Sequence, residues 1–99
     1  MVITNKQRFN MLFNNPKNQS NTLDYISKKM RIKMSDINKV LERGRSAFYN
    51  NPSSVKPHVK SADQWAYSRL YAVIIQIFKI RKNPDFKPTL DNDIIEKYK

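Results

Sequence analysis

Residues 65–80, WAYSRLYAVIIQIFKI, are apolar or aromatic at twelve of sixteen positions. The exceptions are Ser68, Arg69, Gln76 and Lys79, and the last three share one narrow face at helical spacing. A helix apolar almost all round does not rest on a surface; its own chain must wrap it. It does not cross a membrane either. The longest uncharged apolar run, residues 70–78, is about half of the roughly 20 residues a bilayer span needs. The preceding SADQ marks the start, with Ser61 as N-cap and Gln64 at the third helical position in a capping-box pattern. A helix over about 62–81 is therefore the centre of the fold, and every other element is placed around it.

The rest of the composition agrees with an all-α class. One glycine in 99 residues, and no Asn-Gly or Gly-Gly pair, leaves no favoured two-residue hairpin turn. At 99 residues the chain supports one core. The expected architecture is a small bundle of three to four helices around the central one. A Pro-containing extended connector and an N-terminal arm complete it. Residues 1–21 read as that arm or linker, broken by Asn-Pro at 15–16, and residues 22–99 as a single helical domain.

Within the domain, Leu23, Ile26 and Met30 recur at helical spacing behind a cap at Asn21 or Thr22. Ser35 is placed to cap a second helix, 36 to about 49, with Ile37, Val40, Leu41, Ala47 and Phe48 as its buried stripe. Gly44 interrupts that stripe and is a candidate end. Pro84 and Pro88 stop the central helix, and Thr89 is placed to cap a last short helix, 90–98, that docks Ile94 and Ile95 on the core.

Cysteine is absent and His58 is the lone histidine, so a disulfide, a thiolate nucleophile, a Cys-type zinc site and a histidine cluster are all excluded. No nucleophile–base pair is visible, and the expectation is a protein without cofactor, metal or enzymatic activity. Residues 1–13 show no secretory signal, since Lys6 and Arg8 are followed by no apolar core; the chain reads as intracellular.

Charge points to a partner. The formal net charge is +11, of which residues 1–60 hold +9 and residues 61–99 only +2. A one-sided positive field attracts polyanions, phosphate backbones above all. Candidate contacts are Lys28, Lys29, Arg31, Lys33, Lys39, Arg43, Arg45, Lys56 and Lys60. The alternative is a hydrated surface, and clustering in space separates the two.

A helix-turn-helix pattern runs through the same region. With residue 23 as position one, apolar residues are wanted at positions 4, 8, 10, 15 and 18, and Ile26, Met30, Ile32, Ile37 and Val40 stand there. Arg31 occupies the turn position that favours glycine. The second helix exposes Lys33, Asp36, Asn38, Lys39, Glu42 and Arg43 in this reading, and a plain helical corner remains the alternative. Between the helices, NNPSSVKPHVK is stiffened by Pro52 and Pro57, which push Asn51 and Lys56 toward extended geometry. Such a segment suits a phosphate backbone, a groove on another protein, or a strap over the domain's own core. Arg69, in an apolar helix, calls for a carboxylate, and Asp91 and Asp93 are the candidates.

ERGRSAFYNNPSSVKPHVKSADQWAYSRLYAVI, together with DNDI, resembles an uncharacterised domain family of tailed phages and giant DNA viruses. The family pattern runs R-G-x-G-A-aromatic, N-P-x-S-x-R/K-P, S-x-x-Q-W-A-x-x-R and D-x-D-L. The likeness covers residues 43–74 and 91–94, with departures at Ser46 and His58, where glycine is usual, and at Lys56, where arginine is. The resemblance implies a virion or infected-cell setting. It also implies one structural unit containing Arg43, Gly44, Asn51, Pro52, Ser54, Lys56, Pro57, Gln64, Trp65, Ala66, Arg69, Asp91 and Asp93, to which the Ser61 cap is joined. The resulting expectation is a small basic viral protein that binds nucleic acid through its N-terminal half. The alternative is a minor structural or assembly protein of the virus particle, acting on other virion proteins.

Overall fold

The computed structural model describes residues 3–50 and 61–99, and the helix that dominates the sequence dominates it too. Five α-helices follow in order: α1 Asn5–Leu12, α2 Leu23–Met30, α3 Met34–Asn50, α4 Ala62–Lys82 and α5 Asn92–Ile95, the last continuing into a 3-10 turn, Glu96–Tyr98. Among the described residues there is no strand, and the bundle is all-α around α4 as expected. No described helix is long and apolar enough to cross a membrane.

Ser61 starts α4 from an extended backbone, its hydroxyl accepting the Gln64 N–H at 3.1 Å. Asp63 in the first turn and Lys79, Arg81 and Lys82 in the last complement the helix dipole. Ala66, Leu70, Val73, Ile74, Ile77 and Ile80 are each buried almost completely. The most extensive packing is α3 against α4. Gly44 does not end α3; the helix runs through it to Asn50. A Cβ built on Gly44 lies 2.7 Å from the Ala66 Cα, so the missing side chain is what lets the two backbones approach. The first turn of α3 takes in Met34 and Ser35, two residues earlier than a Ser35 cap would allow.

The expected N-terminal arm is present; it carries a helix of its own and lies against the core. Thr4 and Gln7 form a capping box at the start of α1, and α1 packs on α4. Phe9 is fully buried, with ring centroids of Phe13, Tyr71 and Tyr25 at 5.1, 5.7 and 6.4 Å. Burial of such a side chain contributes about 2–3 kcal/mol, which holds an eight-residue helix that would not persist alone. The polar stretch after α1 is ordered by asparagines. The Asn10 side chain, completely buried, donates to the carbonyls of Lys17 and Gln19 and accepts from Asn21, which also donates to the Tyr71 hydroxyl.

At the other end, Thr89 pairs with the Gln76 side chain, its N–H donating at 2.9 Å and its hydroxyl accepting at 2.8 Å. Asp91, not Thr89, occupies the cap position of α5. Ile94 and Ile95 are buried, as their docking required. The connector of residues 51–60 lies outside the described residues, and so do the expectations for Asn51, Pro52, Lys56, Pro57, His58 and Lys60.

Candidate nucleic-acid interface

The corner formed by α2, a three-residue turn and α3 is set by local chemistry first. Thr22 caps α2 by accepting the Tyr25 N–H at 3.1 Å. Lys28 and Lys29 sit in its last turn, where cations are favoured. Arg31 then takes a left-handed conformation, φ 54° and ψ 50°, the geometry for which glycine is the usual choice. Two bonds close the turn around it: the Ile32 N–H donates to the Ser27 carbonyl at 3.1 Å, and the Ser27 hydroxyl donates to the Ile32 carbonyl at 2.6 Å. Ile26, Met30, Ile32, Ile37 and Val40, the five residues of the helix-turn-helix spacing, are all buried together.

The C-terminal end of the chain pins this corner from behind. Arg81 donates to the Met30 carbonyl at 2.5 Å and to the Arg31 carbonyl at 3.5 Å, placing a cation at the negative end of α2. Its guanidinium also stacks over Tyr98, 5.7 Å from the ring centroid. The Tyr98 hydroxyl accepts the Lys33 N–H at 2.9 Å and donates to the Asp36 carboxylate. Lys97 reaches the same carboxylate at 3.0 and 3.2 Å. Asp36 is therefore buried, not displayed on the outer face as the sequence reading had it. The Tyr98 hydrogen bond, with Lys97 behind it, outweighs burial and holds the Asp36 carboxyl below the usual carboxylate range. Asp36, Tyr98, Lys97 and Arg81 were missed from sequence. A usable signal existed for the first: Asp36, Val40 and Gly44 form one i, i+4, i+8 row, and that row is buried.

Lys28, Lys29, Arg31, Lys33, Met34, Ser35, Asn38, Lys39 and Glu42, all within the corner, are each exposed. Lys28 pairs with Asp24 at 3.0 Å, an exposed i,i+4 contact worth a few tenths of a kcal/mol at about ε of water. Lys29 rides over the rings of Phe13 and Tyr25, 5.8 and 5.9 Å from their centroids. Arg31, Lys33 and Lys39 form no ion pair among the described residues.

Two of the expected contact residues are occupied elsewhere. Arg43 donates to Asp91 at 2.7 Å and to both Asp93 oxygens at 3.0 and 2.9 Å. Arg69 reaches the same Asp91 from α4 through Nε at 3.0 Å and Nη2 at 3.2 Å. The Asp91 side chain is only 2% exposed, so two guanidiniums enclose one carboxylate and tie α3, α4 and the start of α5 together. The Arg43 hydrogen bond draws the Asp93 carboxyl down to about 2, and Asp93 and Asp91 push the Arg43 guanidinium up. The pairing expected for Arg69 is present; Arg43 joins it instead of facing outward. Arg45 binds Asp63 at 2.8 Å across the exposed mouth between α3 and α4. Trp65 is half-buried in the first turns of α4 beside Ser61 and Gln64, its indole N–H enclosed without an acceptor among the described residues. Among the described residues no three His, Cys, Asp or Glu side chains gather as a metal site would need.

A family model described as a family of unknown function, DUF5824, matches residues 1–93. The chain belongs to that family. The DUF5824 match takes in α1 to α4, the whole corner and both carboxylates of the arginine network, and it ends inside α5. Lys97 and Tyr98, which pin the corner of this DUF5824 chain, lie beyond it. No curated protein and no solved structure matches the chain.

Proposed function

We propose that this chain is a non-enzymatic nucleic-acid-binding protein that engages duplex phosphates, with the start of α3 directed at a major groove. The observation that carries the reading is the register of the corner. An eight-residue α2, a three-residue turn with a left-handed first residue, and an α3 beginning at Met34 match helix-turn-helix spacing, and Arg31, Lys33 and Lys39, in and just after the turn, are each exposed. In a helix-turn-helix the second helix enters the groove by its N-terminal residues while the first helix crosses the backbone. Here Ser35, Asn38 and Lys39 hold the base-facing positions, and Lys28, Lys29, Arg31 and Lys33 surround them as phosphate contacts. Arg43 and Arg45 are withdrawn from the set. Lys56 and Lys60 stay in it as basic residues of the connector.

The test is fluorescence anisotropy on a labelled random duplex at about 50 mM salt. Lys33→Glu with Lys39→Glu is expected to weaken binding at least about tenfold, since several phosphate contacts are lost and repulsion is added. Lys82→Glu with Lys87→Glu, an equal charge change outside the corner, is expected to weaken it only about two- to threefold. Equal losses in the two doubles would reduce the reading to bulk charge. A second reading, a minor structural protein of a virus particle acting through protein contacts, is supported by the phage and giant-virus resemblance. The viral setting rests on that resemblance alone.

A further inference from the structure

A groove of about 520 Å³ opens on the side of the bundle formed by α1 and the C-terminal half of α4. Ile75, Phe78 and Phe86 line it together with Ile3, Met11 and Leu12, and the surface it offers is almost wholly apolar. Along α1 the apolar surface continues outward, with Met11 56% and Leu12 40% exposed. The rim is cationic on both sides: Arg8 projects from α1, and Lys79 and Lys82 from α4. Lys82 stands over the Phe78 ring at 4.7 Å and Lys79 over Phe86 at 5.8 Å. No carboxylate lines the groove, and none of the three cations is ion-paired among the described residues.

An apolar floor between two flanks of the same charge selects its occupant. A phosphate backbone has nothing to place on the floor. A polar anion satisfies the rim and leaves the floor wet. A third helix laid between α1 and α4 continues the packing of the bundle, and its apolar stripe covers the floor while acids on both sides of the stripe meet Arg8 and the two lysines. The proportions are those of a protein interface, apolar and aromatic at the centre with Met and basic residues at the edge. We infer that this groove docks an acidic amphipathic helix of a partner protein, independently of the nucleic-acid corner.

The experiment uses the full chain, 15N-labelled, titrated with a synthetic 14-residue helix-forming peptide. The peptide carries Leu at i, i+3, i+4 and i+7, flanked by Glu. A twin with Lys for Glu, a scramble of identical composition, and phosphatidylserine vesicles serve as comparisons. Expected are amide shifts confined to residues 8–12 and 75–86, with affinity at least about tenfold above both peptide comparisons. Met11→Glu and the double Lys79→Glu/Lys82→Glu, all at exposed positions, are each expected to abolish the preference without unfolding the chain. Equal binding of the scramble overturns the inference in favour of bulk charge. Shifts away from the groove, or no saturable binding up to about 1 mM, also overturn it. Vesicles shifting the groove residues where the peptide does not would assign the face to a lipid surface instead.

Discussion

Gly44→Ala sets two known effects against each other. Alanine is the better helix former, by about 0.5–1 kcal/mol in a helix interior, so a solvent-facing glycine in α3 would be stabilised by the change. Gly44 faces α4. The added Cβ would lie 2.7 Å from the Ala66 Cα, 3.1 Å from the Ala66 Cβ and 3.5 Å from the Arg69 Cδ. The nearest of these is backbone and cannot swing aside. Reaching an ordinary carbon–carbon separation of about 3.5–4.0 Å requires α3 and α4 to part by about 1 Å. That movement loosens the most extensive packing surface in the domain and stretches the Arg43–Asp91–Arg69 bridge spanning it. Overpacking of this kind costs about 1–3 kcal/mol; set against the propensity gain it leaves a net loss of up to about 2.5 kcal/mol, toward the upper part of that range because the contact is with backbone. For a domain this size the melting temperature falls by about 4–8 °C per kcal/mol. Urea and thermal unfolding, followed by far-UV circular dichroism and Trp65 fluorescence, read it directly. A Gly44→Ala protein as stable as the parent, or more so, refutes the close-approach argument.

Asp91→Ala strands two arginines around an empty carboxylate site; because both guanidiniums keep some solvent, the loss is expected near the low end for a broken buried pair, about 2–3 kcal/mol in urea unfolding. Asp93→Asn, at a mostly exposed side chain, is expected to change stability far less. Tyr98→Phe removes the hydroxyl that joins the Lys33 N–H to Asp36 and is expected to cost about 1–2 kcal/mol at neutral pH. Because Asp36 is held below its ordinary value of 3.8, its contribution is complete above that pH and is lost as pH falls through the lower folded value. The difference between parent and Tyr98→Phe should therefore narrow as pH falls below about 4, and a constant difference would contradict the assignment.

Periodicity carried most of the fold. The twelve apolar positions in residues 65–80, the SADQ start and the spacing from Ile26 to Val40 are local signals, and the helices they mark are present. What escaped was long-range. Asp36 reads as a helix-start acid; its row with Val40 and Gly44 hints at burial, but the groups that enclose it, Lys97 and Tyr98, come from about 60 residues away. Arg43 reads as one more surface cation until Asp91 and Asp93 return beside it. Gly44 reads as a helix breaker because sequence does not display the Ala66 backbone against it. Phe9 lacks the repeated stripe of a core helix, since α1 is too short to show a period. The pairing of Arg69 with a late aspartate was legible because a charge in an otherwise apolar helix demands a counterion.

The measurement that tests the corner reading most directly is the salt dependence of its affinity for a random duplex. Each phosphate contact contributes about −0.9 to the slope of log K against log salt. Three contacts drawn from Lys28, Lys29, Arg31, Lys33 and Lys39 give roughly a 40-fold loss between about 50 and 200 mM salt. A slope near −3 or steeper, reduced by about two in the Lys33→Glu/Lys39→Glu protein, is the predicted result. A flat salt response, or no detectable binding at about 50 mM, would contradict it.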